Sequence, residues 1–363
     1  MLFDPRPKDN LKDLFDRESE ISLLKNSLDS PLIVVVGLRR TGKTSLIKSV
    51  LNDTKSTFIF LDMRRFENKD YIVYKDFVKS LEREINEITR KNRDLLSYLR
   101  HVQGVQVMGF SVSFSWGKEK VELSDLFSEL NDWASEKGET MHIVIDEAQE
   151  LLKLRGYSIL PSIAYAYDNL KNLSFIITGS EVRVRDKFLK LEDEDSPLFG
   201  RTHVEINLRP FSRETAIRFL EEGFREQGIN FPDSEKIFDI LGGNPGWLTY
   251  FGYIYIKQGR DEEKAILETK RYAKRLLSRE FCNFVKEGGR DKRRYLKVIE
   301  TCRKGCSWKD VKNSLEALEG REINDGTVSD IINNLLEYSF LVKEDRKYII
   351  TDKLLEEIID VRC

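Results

Sequence analysis

Residues 32–44 read Leu32-Ile33-Val34-Val35-Val36-Gly37-Leu38-Arg39-Arg40-Thr41-Gly42-Lys43-Thr44. The opening five residues are wholly apolar and mostly β-branched, the pattern of a strand buried on both faces in a parallel sheet. From Gly37 to Thr44 the chain satisfies G-x-x-x-x-G-K-[ST] in full, and helical periodicity begins near Lys43. Glycines let such a loop curl with its N–H groups pointing at a polyphosphate, and the helix that follows presents its positive end to the same charge. Gly37, Leu38, Arg39, Arg40, Thr41, Gly42, Lys43, Thr44 and Ser45 are therefore the candidate nucleotide-binding residues. Lys43 is expected to reach the β- and γ-phosphates, and the Thr44 hydroxyl to ligate Mg²⁺. Arg39 and Arg40 lie inside the loop, either on phosphate or turned to solvent.

A site of this kind needs a second apolar strand ending in a carboxylate, and Met141-His142-Ile143-Val144-Ile145-Asp146-Glu147 supplies one. Asp146 is the expected metal-holding acid, acting through water. Glu147, one residue later, is placed to polarise an attacking water, which points to hydrolysis rather than to transfer onto another nucleophile. Further apolar runs at 58–61 and 175–178, with helical patterns such as 74–88 between them, indicate an α/β domain with a mainly parallel sheet. Residues 102–116 alternate around glycines and read as an inserted β-hairpin. Asp62, after the second strand, reads as a sheet-end residue rather than a metal ligand. Beyond Arg209-Pro210-Phe211-Ser212 the pattern turns helical, with Ser212 as a cap. Past Gly288-Gly289 come three short helices and a two-stranded ribbon, the pattern of a winged helix. Capping-box-like starts stand at Ser307/Asp310 and Thr327/Asp330. The expected division is 1–208 P-loop ATPase domain, 209–288 helical lid and 289–363 winged helix.

With the loop, Asp146-Glu147 and a third strand ending Thr178-Gly179-Ser180, the chain resembles the AAA+ ATPases. That resemblance implies a polar γ-phosphate sensor at the third strand's end, Ser180 with Thr178 as alternative. Leu14-Phe15-Asp16-Arg17-Glu18-Ser19-Glu20-Ile21 is similar to the F-x-G-R-E-x-E-L segment of the archaeal ATPase family within the STAND clade. In that family the segment borders the adenine, which implies a nucleotide-side role for Arg17; Asp16 replaces the usual glycine. Ser196-Pro197-Leu198-Phe199-Gly200-Arg201 resembles the family's PL-Y-G-R segment, and Gly243-Asn244-Pro245 its G-x-P, whose proline packs near the nucleotide. The resemblance implies a P-loop NTPase of AAA+ plan, α/β with a helical lid and a C-terminal winged helix. It further implies ATP/ADP and Mg²⁺ as cofactors and slow ATP hydrolysis driving a conformational switch. Arg201 is either a charge-stabilising arginine, in cis or on a neighbour's nucleotide, or a salt-bridge partner of the acidic run 192–195. Self-association is left open.

Charge constrains the partners. Sixty Lys+Arg stand against 62 Asp+Glu in 363 residues, a formal net charge of -2, so no global positive field attracts nucleic acid or anionic membrane. Residues 290–363 hold 15 Lys+Arg and 15 Asp+Glu. The third helix of that segment, read as 327–338, offers Ser329, Asp330, Asn333, Asn334 and Glu337 on its free face, without a cation. Base contacts call for Arg, Lys, Asn or Gln and phosphate contacts for cations; with no cation and two acids on this face, an unknown protein partner of the winged helix or lid is favoured over DNA. A DNA-associated ATPase resembling origin-recognition or transposition helpers is the alternative. No apolar run approaches the length of a membrane span, and the first ten residues lack the apolar core of a signal peptide. The expected location is the cytoplasm. Abundant Lys, Glu and Arg with little Gln suits a thermophile's surface. Cys282, Cys302, Cys306 and Cys363 are irregularly spaced and read as ordinary thiols, with a C-terminal bridge as the lesser alternative.

Overall fold

The computed structural model describes residues 1–117, 120–180, 182–231, 233–259, 261–359 and 363. The chain divides into two compact units, one formed by residues 8–37 and 43–208, the other by 1–7, 38–42 and 209–363.

In the first unit, β1 (Leu32–Gly37), β2 (Phe58–Asp62), β6 (Met141–Asp146), β8 (Leu173–Gly179) and β9 (Val204–Leu208) make a parallel sheet in the order β2-β6-β8-β1-β9. Leu32, Val34 and Val36 enter one hydrophobic core while Ile33 and Val35 enter the other. Both faces of β1 are thus covered, as the unbroken apolar run requires. The helices are α1 (Glu18–Asn26), α2 (Lys43–Asp53), α3 (Tyr74–Thr89), α4 (Leu95–Leu99), α5 (Leu123–Lys137) and α6 (Leu160–Asn169). A parallel pair β3 (Ile72–Val73) and β7 (Leu154–Arg155) and an antiparallel hairpin β4 (Val105–Met108) and β5 (Ser111–Phe114) complete the unit.

The second unit carries α7 (Arg213–Arg225), α8 (Ser234–Leu241), α9 (Pro245–Lys257) and α10 (Glu262–Glu287). Ser212 caps α7 by accepting the Thr215 N–H, and Pro245 opens α9 at a position where its missing N–H costs nothing. Phe3 is fully buried among Phe219 and Phe224. A Cβ at Gly223 or Gly252 would meet its ring at 2.3 and 2.5 Å, so these two glycines make the socket. The winged helix follows as α11 (Lys292–Thr301), α12 (Trp308–Glu319), α13 (Asp325–Glu337) and the antiparallel ribbon β10 (Leu341–Glu344) and β11 (Lys347–Ile350).

Two expectations are corrected here. The capping box forms at Ser307/Asp310, but α13 starts two residues before Thr327, capped by Asn324, whose Oδ1 accepts the Gly326 N–H at 2.8 Å. The asparagine captures the end of the helix that a threonine-based reading would miss. The cysteines are not ordinary thiols: Cys282 bonds Cys363, and Cys302 bonds Cys306. The first pair forms because Cys363 returns to α10, bringing Cα atoms 81 residues apart to 5.3 Å. The second forms across a 3₁₀ turn closed by Gly305 at φ 86°. Neither approach is encoded in cysteine spacing. Among the described residues no helix is long and apolar enough to cross a membrane.

Candidate active site

In the sheet unit the site is built at the carboxyl ends of β1, β6 and β8. Gly37 ends β1 and Lys43 opens α2. Only 5% exposed, Lys43 donates from Nζ to the Gly37 carbonyl at 3.0 Å and lies 3.6 Å from Glu147 Oε1. The Thr44 hydroxyl donates to Asp146 Oδ2 at 2.8 Å. Asp146, fully buried at the end of β6, also accepts from the Thr178 hydroxyl on β8, Oγ1 to Oδ1 at 2.6 Å. The Thr178 oxygen in turn accepts the Glu147 N–H at 3.1 Å. One threonine thereby fixes both acids.

Glu147 has φ 55°, the left-handed region that is strained for a residue with a Cβ. Such strain persists where neighbours over-determine the backbone and is frequent at functional sites. Here the neighbours are Thr178 and Gln149, whose Nε2 donates to Glu147 Oε2 at 2.6 Å. Room for Gln149 comes from Gly179, where a Cβ would stand 2.0 Å from its Oε1. Burial, and next the Glu147 charge, push the Asp146 carboxyl above its ordinary range, against the hydrogen bonds of Thr178 and Thr44 and the charge of Arg64. Arg64 approaches Asp146 Oδ2 to 3.3 Å and is gripped by Asp62 at 2.8 and 2.7 Å. Asp62 also accepts the Arg64 N–H, so it is a sheet-end residue that orients a cation. Two hard oxygen donors, the Thr44 hydroxyl and the Asp146 carboxylate, face one another, and this donor set suits Mg²⁺.

Lys43, Thr44, Asp146 and Glu147 thus come together, whereas other expected residues have different company. The Ser180 hydroxyl is buried and has no hydrogen-bond partner among the described residues, while the alternative, Thr178, sits inside the acid cluster. Ser45 Oγ accepts the Lys8 N–H at 3.0 Å. Arg17 precedes α1 and pairs with Glu20 at 3.1 Å. Arg201 departs from the expected acidic run: its salt bridge is to Asp168 on α6, with Nε to Oδ1 at 3.0 Å and Nη2 to Oδ2 at 2.5 Å. It also donates to the Pro197 carbonyl. Asp168, exposed and planar, matches the guanidinium fork from one helix, an arrangement invisible in the local sequence.

The loop tip, residues 38–42, packs within the other unit. Thr41 Oγ1 donates to the Leu38 carbonyl at 2.8 Å and steadies the turn. Arg39 and Arg40 turn neither to solvent alone nor to one another: Nη1 atoms of both meet Glu280 Oε1 on α10, at 2.9 and 3.5 Å. Asn244, beside Pro245, donates to the Arg39 carbonyl at 3.2 Å.

A family profile described as an ATPase domain predominantly from Archaea matches residues 14–251. The chain belongs to this archaeal ATPase family. The profile of the MCM protein C-terminal winged helix-turn-helix domain matches residues 290–351. Among solved structures, the Walker-type ATPase Paby2304 of Pyrococcus abyssi is 32% identical and covers 99% of this chain and 100% of its own, with a TM-score of 0.82. The Aeropyrum pernix ORC2 protein, solved as ADPNP-ADP complexes, is 12% identical over 99% of this chain and 96% of its own, with a TM-score of 0.57, and shares the fold. No curated protein matches. The chain thus combines the parallel-sheet domain of an archaeal Walker-type ATPase family with helices and a C-terminal winged helix.

Sequence reasoning overlooked Arg64, Gln149, Glu280 and Asp352, which caps the turn 353–358 after β11. Arg64 and Gln149 stand two residues after Asp62 and Glu147, so the residues flanking each strand-end acid were the signal available. For Glu280 and Asp352 no local signal existed.

Proposed function

We propose that the protein binds and hydrolyses ATP and that the bound nucleotide sets its conformation. The observation that carries this reading is the continuous chain Thr44–Asp146–Thr178–Glu147, with Lys43 beside Glu147. Gly37 to Thr44 would wrap the polyphosphate with backbone N–H groups, and Lys43 would exchange its Gly37 carbonyl and Glu147 contacts for the β- and γ-phosphates. Thr44 and Asp146 would hold Mg²⁺, which supplies positive charge against the phosphoryl oxygens. Glu147, presented by a strained backbone and held by Gln149, would orient water and accept its proton. Because Thr178 bonds both acids, a shift of β8 would be felt at the metal ligand and at the base together.

The winged helix is assigned to a protein partner. Asn334, one of the few base-reading side chains on α13, is occupied by Tyr295 at 3.0 Å and Arg290 at 3.4 Å. Ser329 accepts the Trp308 indole N–H at 3.2 Å. What remains outward is led by Asp330 and Asn333, a poor face for a phosphate backbone. The test has two arms. Titration of a fluorescent ATP analogue with the wild type and Lys43→Ala should show saturable binding lost by at least about 100-fold in the variant. Titration with duplex DNA at two salt concentrations should show only weak binding; tight binding that weakens steeply with salt would transfer the winged helix to DNA.

A further inference from the structure

We propose that Asp352, at the end of the winged helix, is a positioning residue of the phosphate loop, acting through Asn244 and Trp247. The inference rests on the reading of residues 37–44 as the nucleotide loop and adds a regulator to it. Asp352 follows β11, and its two carboxylate oxygens do different work. Oδ1 accepts the Leu354 N–H at 2.9 Å and starts the turn 353–358. Oδ2 accepts from Trp247 Nε1 at 2.6 Å and from Asn244 Nδ2 at 3.2 Å.

Both partners touch the loop tip directly. The same Asn244 Nδ2 donates to the Arg39 carbonyl at 3.2 Å, so one amide group bridges the winged helix and the loop backbone. Trp247 is fully buried and carries the Arg40 guanidinium over its ring, 4.4 Å from the centroid. Gly246 lets Arg40 lie so close: a Cβ there would be 2.5 Å from Arg40 Cβ. The loop needs this support because Arg40 has φ 67°, the left-handed region that costs a non-glycine residue energy unless its surroundings impose it. Glu280, meeting both arginines, adds a further restraint.

Burial pushes the Asp352 carboxyl above its ordinary range, and the Trp247 donor is the strongest of the contacts that oppose this. An apolar cap residue would start the same turn less well, but a carboxylate with one oxygen for the turn and the other for two long-range donors ties the winged helix to the loop. Anything that moves the end of β11, such as a partner docking on the winged helix, would release Asn244 and Trp247 together and with them the left-handed Arg40. Conversely, phosphates competing for Arg39 and Arg40 would loosen the same set of contacts.

The test compares wild type, Asp352→Ala, Trp247→Phe, Arg40→Ala and the double variant Asp352→Ala/Arg40→Ala, all full-length. Hydrogen–deuterium exchange without added nucleotide is the first readout. Asp352→Ala should exchange the amides of residues 38–42 at least about 10-fold faster, with β6 and β8 unchanged as a folding control. Trp247→Phe, which keeps the ring and loses the donor, should show a smaller acceleration in the same peptide. The second readout is the Kd of a fluorescent ATP analogue. Asp352→Ala should weaken it at least about 5-fold, and by clearly less when Arg40 is already alanine, since the Trp247 arm to the loop is then cut and only the Asn244 arm to the Arg39 carbonyl remains. Unchanged exchange at 38–42 in a folded Asp352→Ala protein overturns the proposal, as does an equal loss of affinity in both Arg40 backgrounds. Absence of analogue binding by the wild type would instead overturn the nucleotide reading, leaving the exchange result to decide the role of Asp352.

Discussion

Asp146 and Asp352 each stand just where a strand gives way to a loop, and each binds two side chains from distant parts of the chain. Asp146 takes hydroxyls from Thr44, 102 residues away, and Thr178, 32 away. Asp352 takes N–H donors from Trp247, 105 away, and Asn244, 108 away. The first cluster is wholly inside the sheet unit and holds Lys43, Thr44 and Glu147; the second is wholly inside the other unit and holds residues 38–42. One continuous loop is therefore supported by two unrelated carboxylates. On the function proposed above, the first is a chemical requirement, since that function needs a metal ligand and a base at the end of a strand. The second is a mechanical one, satisfied by whatever residue the fold brings to the place.

That contrast can be tested at the first cluster, beginning with the largest effect. Thr44→Val removes the hydroxyl that meets Asp146 while keeping the shape of the side chain. Steady-state ATPase assays with Mg²⁺ should show turnover lower by at least about 100-fold, equivalent to about 3 kcal/mol of barrier. A loss under about 3-fold would detach Thr44 from the chemistry.

A second effect is acid sensitivity of the sheet that carries Asp146. His142 at the other end of β6 is 2% exposed, and burial lowers its pKa from 6.5 to about 4. The folded protein holds this imidazole neutral while the unfolded chain protonates it, so stability is complete above pH 6.5 and falls as pH drops toward 4. The loss amounts to about 3 kcal/mol. Urea denaturation of His142→Leu at pH 7.5 and 4.5 should show a smaller pH dependence than the wild type; an unchanged slope would place the acid response elsewhere.

Next comes Thr178→Val, which leaves Asp146 Oδ1 and the Glu147 N–H without their shared partner. A buried bond of this kind costs about 1–3 kcal/mol when one side is removed, measurable by the same denaturation at pH 7.5. The corresponding change at the second cluster, Asp352→Ala, should act on the loop and leave the exchange of β6 and β8 alone. Similar effects of both variants on the central strands would erase the distinction between the clusters. The smallest effect is expected for Arg201→Ala: its bridge to Asp168 is solvent-screened, and thermal melts should place the stability loss under about 1 kcal/mol. A loss of several kcal/mol would mean the pair is more enclosed than its exposure suggests.

The same contrast explains what could be read from the amino-acid sequence. The β1 run, the glycines and Lys43-Thr44 of the loop, and the Asp146-Glu147 pair could be placed together from sequence because the P-loop pattern restricts residue type, spacing and flanking element at once. The α7 and α12 caps were legible for a similar reason, a local hydrogen bond with a fixed offset. Arg201 was readable as a cation at a strand-side position, yet its partner Asp168 lies 33 residues earlier and nothing in the acidic run beside it reveals that. Asp352 looks like any turn-capping aspartate, and it does cap a turn. Its other oxygen has a role only in three dimensions. The disulfides belong to the same class, since Cys282 and Cys363, 81 residues apart, are brought together by the fold rather than by a spacing rule.

In the proposed function Glu147 orients and deprotonates water while other residues hold the nucleotide. Measuring both ATP binding and ATP turnover in Glu147→Gln tests it most directly, because glutamine keeps size and hydrogen bonding while removing the base. A Kd for ATP within about 3-fold of wild type is expected, with turnover reduced by at least about 100-fold. Turnover retained within about 3-fold in Glu147→Gln would contradict it.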